Sequence, residues 1–234
     1  MDFKELVEAA RTCRRFEEDK PLSMADLDWL TECARLAPSA RNAQELRFIL
    51  VGPGETCRKL FTLTRWAGAL KDWGGPHPGE RPTAFIAVLM PENGKELLCY
   101  DTGIACQTIQ LAAASRGWGC CIIQSFDHKA APELLDVPEG MKIALVLGLG
   151  VAKEKRRIAP MPADGSFGYW RDEQGVHYVP KRALADLVLK RFFQATAPRK
   201  QKAPPDRRRF LWDRSISKLK YTSSGFCRSP TARR

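Results

Sequence analysis

Histidine is scarce in this chain: only His77, His128 and His177 occur among 234 residues, and they stand far apart. The eight cysteines never form a C-x-x-C step, so no zinc-ligand spacing is present. The glycine patterns that cradle nucleotides are missing as well. There is no G-x-x-x-x-G-K-[ST], and Gly117-Trp118-Gly119 and Gly148-Leu149-Gly150 each lack the third glycine of a dinucleotide fingerprint. No G-x-S-x-G turn occurs, and no carboxylate pair or Ser/His/Asp grouping stands out. Apolar runs stay well short of the ~20 residues of a membrane-spanning helix. The chain is charged from Asp2 onward, without a signal-peptide pattern. These absences argue against a metal site, a phosphate loop, a serine nucleophile and integral membrane contact. They predict a reduced, cytoplasmic, soluble protein whose chemistry rests on a bound organic cofactor.

Acidic residues are also scarce, but only in one place. The net charge of +11 suggests a nucleic-acid partner until it is located. Residues 191–234 hold thirteen Lys/Arg against Asp206 and Asp213 alone, which accounts for the whole excess; the preceding 190 residues carry twenty-five charges of each sign. The sequence therefore divides into a neutral domain, 1–193, and a basic tail, 194–234, whose Pro, Lys, Arg and Ser content predicts disorder. Thirteen cations and Phe210-Leu211-Trp212 permit binding to nucleic acid or acidic membrane; a plain extension without a partner is the simpler reading. The composition, 44% hydrophobic and 28% charged, supplies a sizeable core.

Hydrophobic spacing gives the order of elements. Helices are expected over 3–11 and 24–37, with Ser23 and Asp26 forming a capping box, and Pro38 stops the second. A polar loop of small residues, 38–44, precedes a strand at 46–51. A helix over 55–64 leads into 66–82, a long loop with Trp66, Trp73, Gly74-Gly75-Pro76 and Pro78, which has the character of a lid. Strands follow at 83–90, 120–125 and 143–149. Between the first two lies the longest helical pattern, 96–116, small and apolar nearly all round. A short helix over 129–136, a loop through Pro160-Met161-Pro162, a turn at 173–175 and a helix over 182–193 complete the domain. This alternation predicts an α+β sheet with helices around one layered core.

One stretch carries the first sign of a ligand. Arg11-Thr12-Cys13-Arg14-Arg15-Phe16 places three cations within five residues beside a hydroxyl. It reads either as a solvated helix end, where cations complement the dipole, or as a seat for a small anion such as phosphate.

Four further stretches, with this one, resemble the FMN-dependent nitroreductase family. The first looks like its N-terminal flavin-phosphate motif. Ala37-Pro38-Ser39-Ala40-Arg41-Asn42-Ala43-Gln44 is similar to its Pro-Ser-x-x-Asn-x-Gln loop, and Gly103-Ile104-Ala105-Cys106-Gln107 with Leu111-Ala112-Ala113 to its central dimer-forming helix. Residues 117–126 resemble the strand that runs to the flavin N5. Tyr169-Trp170-Arg171-Asp172 and Val179-Pro180-Lys181-Arg182 resemble the ending of one branch. The resemblance spans about residues 3–190. It departs from the pattern at Thr12 (commonly Ser), Ala10 (commonly Arg) and Glu45 (commonly Pro), and nothing in it corresponds to the tail.

The resemblance implies a mostly antiparallel sheet flanked by helices in three α/β/α layers, and an intertwined homodimer. It also implies FMN with NADH or NADPH as hydride donor, and an electron-poor acceptor such as a nitroaromatic or quinone reduced in ping-pong order. One alternative is a flavin- or anion-binding protein without turnover whose basic tail binds nucleic acid or acidic membrane; a second, within the fold, is a reductive dehalogenase or flavin-fragmenting relative. The resemblance assigns Arg11, Thr12 and Lys181 to the phosphate, Arg14 to the charge on the reduced ring and Arg182 to the cofactor more generally. Pro38, Ser39, Asn42 and Gln44 go to the ribityl chain or ring from the partner subunit, and Gln124 or Ser125 to N5 through a backbone N–H. Lys71, Trp73, Ala40 and Arg41 fall on the substrate side. Plainer roles stand beside these: Arg15 facing solvent, Gln44 capping its own loop, Lys181 and Arg182 as cations at a helix start, and Trp73 as a packing residue.

Overall fold

The segments that bury themselves most completely are strands. In the computed structural model, which describes residues 1–70 and 72–192, the chain runs α1 (Phe3–Ala9), α2 (Met24–Arg35), a 3-10 turn (Ala40–Asn42), β1 (Arg47–Val51), α3 (Glu55–Thr62), β2 (Ala84–Pro91), α4 (Leu97–Ser115), β3 (Trp118–Ile123), α5 (Ala130–Leu134) and β4 (Met141–Val151). It ends with β5 (Arg156–Pro160), β6 (Trp170–Arg171), β7 (His177–Lys181) and α6 (Leu184–Leu187). The larger sheet has the order β1-β2-β4-β3, antiparallel throughout.

Alternation along β2 explains the layers, because successive side chains of a strand point to opposite faces. Ala84, Ile86 and Val88 pack with Leu27 and Leu30 of α2 and Ala105 and Ile109 of α4. Phe85, Ala87 and Leu89 pack with Cys57 and Leu60 of α3, Ala131 of α5 and Trp66. Two apolar layers on one sheet make the fold α+β in three layers. Helices α1 and α2 both start on capping boxes: Asp2 accepts from the Glu5 N–H at 2.8 Å, and Ser23 from that of Asp26 at 3.2 Å. Each such cap contributes about 1 kcal/mol.

Glycine makes room for the segment between α1 and α2. Cys13 N–H donates to the Cys120 carbonyl at 2.9 Å, laying residues 13–16 across β3 and β4. A Cβ at Gly119 would stand 2.5 Å from Cys13 Sγ, and one at Gly150 would stand 3.1 Å from Phe16. Gly117-Trp118-Gly119 and Gly148-Leu149-Gly150 are thus packing features of the sheet.

Helix α4 packs one side through Leu98, Ala105, Cys106, Ile109 and Ala113, while Tyr100, Ile104, Gly103 and Gln107 are exposed on the other. It is apolar all round in sequence, yet a single chain covers only half of it.

The C-terminal third differs most from expectation. Residues 156–160, read as loop, form β5, which pairs parallel to β7, while β6 pairs antiparallel to β7. The Asp172–Gly175 turn joins β6 and β7: Gly175 N–H donates to the Asp172 carbonyl at 2.9 Å, at a φ of 74°. The helix expected over 182–193 is only the single turn Leu184–Leu187, because it buries no residue that would hold it. Helix α1 likewise stops at Ala9, two residues before Arg11. Among the described residues no helix is long and apolar enough to cross a membrane. The basic tail, with any nucleic-acid or membrane contact it makes, lies outside the described residues.

Candidate functional site

The corner after α1 is fixed from two sides. Cys13 N–H is held by β3, and Arg14 N–H donates to Glu154 Oε2 at 2.9 Å. The backbone so held presents Arg11, Thr12 and Arg14 to a cavity of about 230 Å³. Strand β7 forms the opposite wall. Its alternation puts His177, Val179 and Lys181 on one side, and Gln107 and Gln110 of α4 close the space. Three cations and no carboxylate line this cavity, so its potential favours an anion. Arg11 gives Nη2–H to the Val7 carbonyl at 2.7 Å, and its buried Nε has no partner among the described residues.

A second cavity of about 370 Å³ adjoins the first and shares Arg14 and Tyr169 with it. Its walls are residues 121–125 at the end of β3 and residues 65–68 at the start of the long loop. The Arg14 guanidinium lies over the Tyr169 ring, 4.6 Å from its centroid, at the junction of the two. A basic end beside a space walled by the end of β3, Trp66 and Tyr169 suits a phosphate ester joined to a flat ring.

Known proteins decide the family. The sequence model of the nitroreductase family matches residues 7–151. The chain belongs to that family. A curated relative from Archaeoglobus fulgidus, named as an NADH dehydrogenase/NAD(P)H nitroreductase, is 27% identical over 152 residues, covering 61% of this chain and 81% of its own. Thermotoga neapolitana iodotyrosine deiodinase is 23% identical over 173 residues, covering 67% and 91%. The crystal structure of a nitroreductase family protein from Clostridium novyi superposes with a TM-score of 0.54 at 24% identity, covering 65% of this chain and 88% of that one. The family is one of flavoprotein oxidoreductases.

In this nitroreductase-family chain the expected site residues fall into groups. Arg11, Thr12, Arg14 and Lys181 meet at the basic cavity, and Gln124 and Ser125 line the adjoining one. Pro38, Ser39 and Gln44 line neither. They border a separate space of about 470 Å³ between α2, β1 and α4, while Ala40, Arg41 and Asn42 project at the surface or are half-buried. Ser39 Oγ accepts from the Gln44 N–H at 3.2 Å, Gln44 Nε2–H donates to the Asn42 carbonyl at 3.2 Å, and Ala40 N–H donates to buried Asp101 at 2.9 Å. Within one chain this loop is not brought to the basic cavity. Arg182 is exposed at the end of β7 and lines neither cavity. Lys71 lies outside the described residues. Trp73 is half-buried beneath the Arg171 guanidinium, 4.2 Å from its ring centroid.

Arg15 corrects its solvent-facing reading. Its Nε and Nη2 donate to both oxygens of Glu80 at 2.7 and 2.5 Å, and Lys153 reaches the same carboxylate at 3.2 Å. The Arg15 hydrogen bond leads in pulling the Glu80 carboxyl down to about 2. The pair ties the end of the long loop to the corner.

Residues without an assigned role surround Arg14. Glu154 has a side chain with no exposure; Oε2 takes the Arg14 N–H, and Oε1 takes two donors of Arg171, at 3.0 and 2.6 Å. His177 is 1% exposed, and burial pushes its pKa down to about 4, with Arg14, Arg171 and Arg156 adding to that against the pull of Glu154. His177 was legible in principle: it stands at period two with Val179 and Lys181. Glu154 gave no signal, since nothing near it in sequence touches it. Burial raises the Cys121 thiol to about 12 and that of Cys120 well above the usual range, so neither is a thiolate at neutral pH.

Proposed function

We propose that this chain is an FMN-dependent oxidoreductase acting as a homodimer. It takes hydride from NADH or NADPH and reduces an electron-poor acceptor such as a nitroaromatic or a quinone, donor and acceptor binding in turn. One observation carries the reading: a carboxylate-free cavity lined by Arg11, Thr12, Arg14 and Lys181 shares Arg14 and Tyr169 with a second cavity walled by the end of β3.

The residues fit the cofactor. Arg11 brings a buried donor that lacks a partner among the described residues, and with Thr12 and Lys181 it would neutralise and orient a phosphate. Bound there, FMN supplies a ring that accepts and releases hydride. Arg14, at the junction, would hold positive charge where the reduced ring is negative, which favours reduction. The backbone N–H groups of Gln124 and Ser125 would donate to the ring without calling on a side chain. Trp73 and its loop would wall the acceptor space. The exposed side of α4 and the loop at 38–44 would be completed by a second copy, each copy lending Ser39, Asn42 and Gln44 to the other.

The test is a spectrum. The purified full chain should be yellow, carry one FMN per subunit, lose its flavin absorption on adding NADH or NADPH, and regain it with a nitroaromatic or quinone. A colourless protein that FMN cannot reconstitute overturns the reading. The iodotyrosine deiodinase relative supports a second acceptor class, aryl halides. Halide release from a halogenated tyrosine, with slow nitroaromatic turnover, would favour it.

A further inference from the structure

Arg14 lines both cavities, and among the described residues the Tyr169 ring and His177 meet its guanidinium. His177 Nε2 lies 3.4 Å from Arg14 Nη1. A guanidinium only donates, so Nε2 must be the accepting nitrogen, and the single proton of the neutral ring then sits on Nδ1. Nδ1 itself lies 4.0 Å from Glu154 Oε1, beyond hydrogen-bond reach, and has no other partner among the described residues. The groups facing the ring are Arg14, Glu154, Arg171 and Arg156, with the Tyr169 ring at 5.0 Å. Arg14 is thus held at three points: its N–H by Glu154, one face of its guanidinium by Tyr169, and one edge by His177.

We infer that His177 is a positioning residue for the anion site, a neutral imidazole whose Nε2 holds the Arg14 guanidinium at the junction of the two cavities. The inference rests on the flavin reading for its ligand, not for its geometry. A charged His177 could not do this, because its Nε2 would carry a proton toward a cation. Its depressed pKa keeps the ring in the accepting form at neutral pH. The residue sets where Arg14 stands without touching the reacting atoms.

Two measurements test this on the full chain. The first needs no ligand. Ring nitrogen–proton correlation spectra near pH 7 should show one histidine with a protonated Nδ1 and a bare Nε2, and that signal should vanish in His177→Gln. A protonated Nε2 overturns the inference. The second compares variants by titrating flavin-stripped protein with FMN, and separately with inorganic phosphate. Gln carries an acceptor to the Nε2 position, Asn only to the Nδ1 position, and Leu none. Loss of a hydrogen bond to a charged group predicts FMN binding weakened by about tenfold or more in His177→Leu and His177→Asn, and by less than about threefold in His177→Gln. Equal affinity in all three, with wild type binding FMN, overturns the inference. Wild type that takes up no FMN overturns the flavin reading instead, and the ring spectrum then decides the role of His177 alone.

Discussion

Two stretches of this chain carry motif residues, and they are built in opposite ways. The corner at 11–16 is tied down at nearly every residue: Cys13 to β3, Arg14 to Glu154, Arg15 and Phe16 to Glu80, the last through the Glu80 carbonyl at 3.0 Å. The loop at 39–44 is exposed or half-buried and holds Arg41, Asn42 and Gln44 at φ of 53°, 56° and 52°. Left-handed backbone outside glycine costs roughly 1–2 kcal/mol per residue. Such strain persists where surrounding contacts over-determine it, often at functional sites. The corner has those contacts inside one chain. The loop has fewer from outside itself: Asp101 under Ala40 and Arg47 on the Gln44 carbonyl, beside bonds of its own from Gln44 to Ser39 and Asn42. Under the proposed homodimer, the corner is the half of the site that one chain completes and the loop is the half that a second copy would complete.

Breaking the corner should have the largest effect. Glu154→Ala leaves the Arg171 guanidinium and the Arg14 N–H without their buried acceptor. Removing one partner from such a buried pair costs about 3–5 kcal/mol. Thermal unfolding should fall by roughly 10 °C, and phosphate binding should weaken with it. A loss under about 1 kcal/mol would show that the corner stands without Glu154, and the comparison with the loop would fail.

The two stretches also differ in how much of each could be read from sequence. The corner's cations were visible as a cluster, and the alternation of β2 and the capping box at Ser23 fixed the layers around it. Its supports were not visible. Glu154 lies 140 residues from Arg14 and Glu80 lies 65 from Arg15, and no local period links such pairs. Arg15 looked solvated because an ion pair leaves no trace in its own neighbourhood. Strand β5 hid because five residues with two arginines show no alternation, and its parallel partner follows seventeen residues later. The closing helix is shorter than its pattern: Leu184 and Leu187 have helical spacing, but among the described residues they stay exposed. The loop's residues were legible as a motif, yet its strain was not, since Arg and Gln have no preference for positive φ.

A middle-sized effect should come from Glu80, and it should depend on pH. The carboxyl is lowered from 4.5 to about 2 by its bonds to Arg15 and Lys153. A folded-state value below the unfolded one adds stability that is fully present above pH 4.5 and is lost as pH falls through about 2. Wild type should therefore exceed Glu80→Gln by up to about 3 kcal/mol at pH 7, with the gap closing between pH 4.5 and pH 2 in urea titrations. A gap that does not change with pH would mean the pair acts through packing, and the corner would owe less to charge than its geometry suggests.

The smallest effect, and the sharpest for the comparison, belongs to the loop. Arg41 sits at φ 53° and ψ 18°, which glycine adopts freely. Arg41→Gly removes the left-handed penalty but adds freedom to the unfolded chain, so the net gain should be modest, about 1 kcal/mol or less by urea titration. If the strain shapes the loop for a second copy's site, the same variant should bind FMN more weakly while being more stable, because the backbone that presents Asn42 and Gln44 is no longer forced. A corner variant cannot behave this way, since everything that holds the corner also stabilises it. Greater stability with unchanged FMN affinity would make the loop merely strained, and would leave the basic corner and the end of β3 as the whole of the cofactor site.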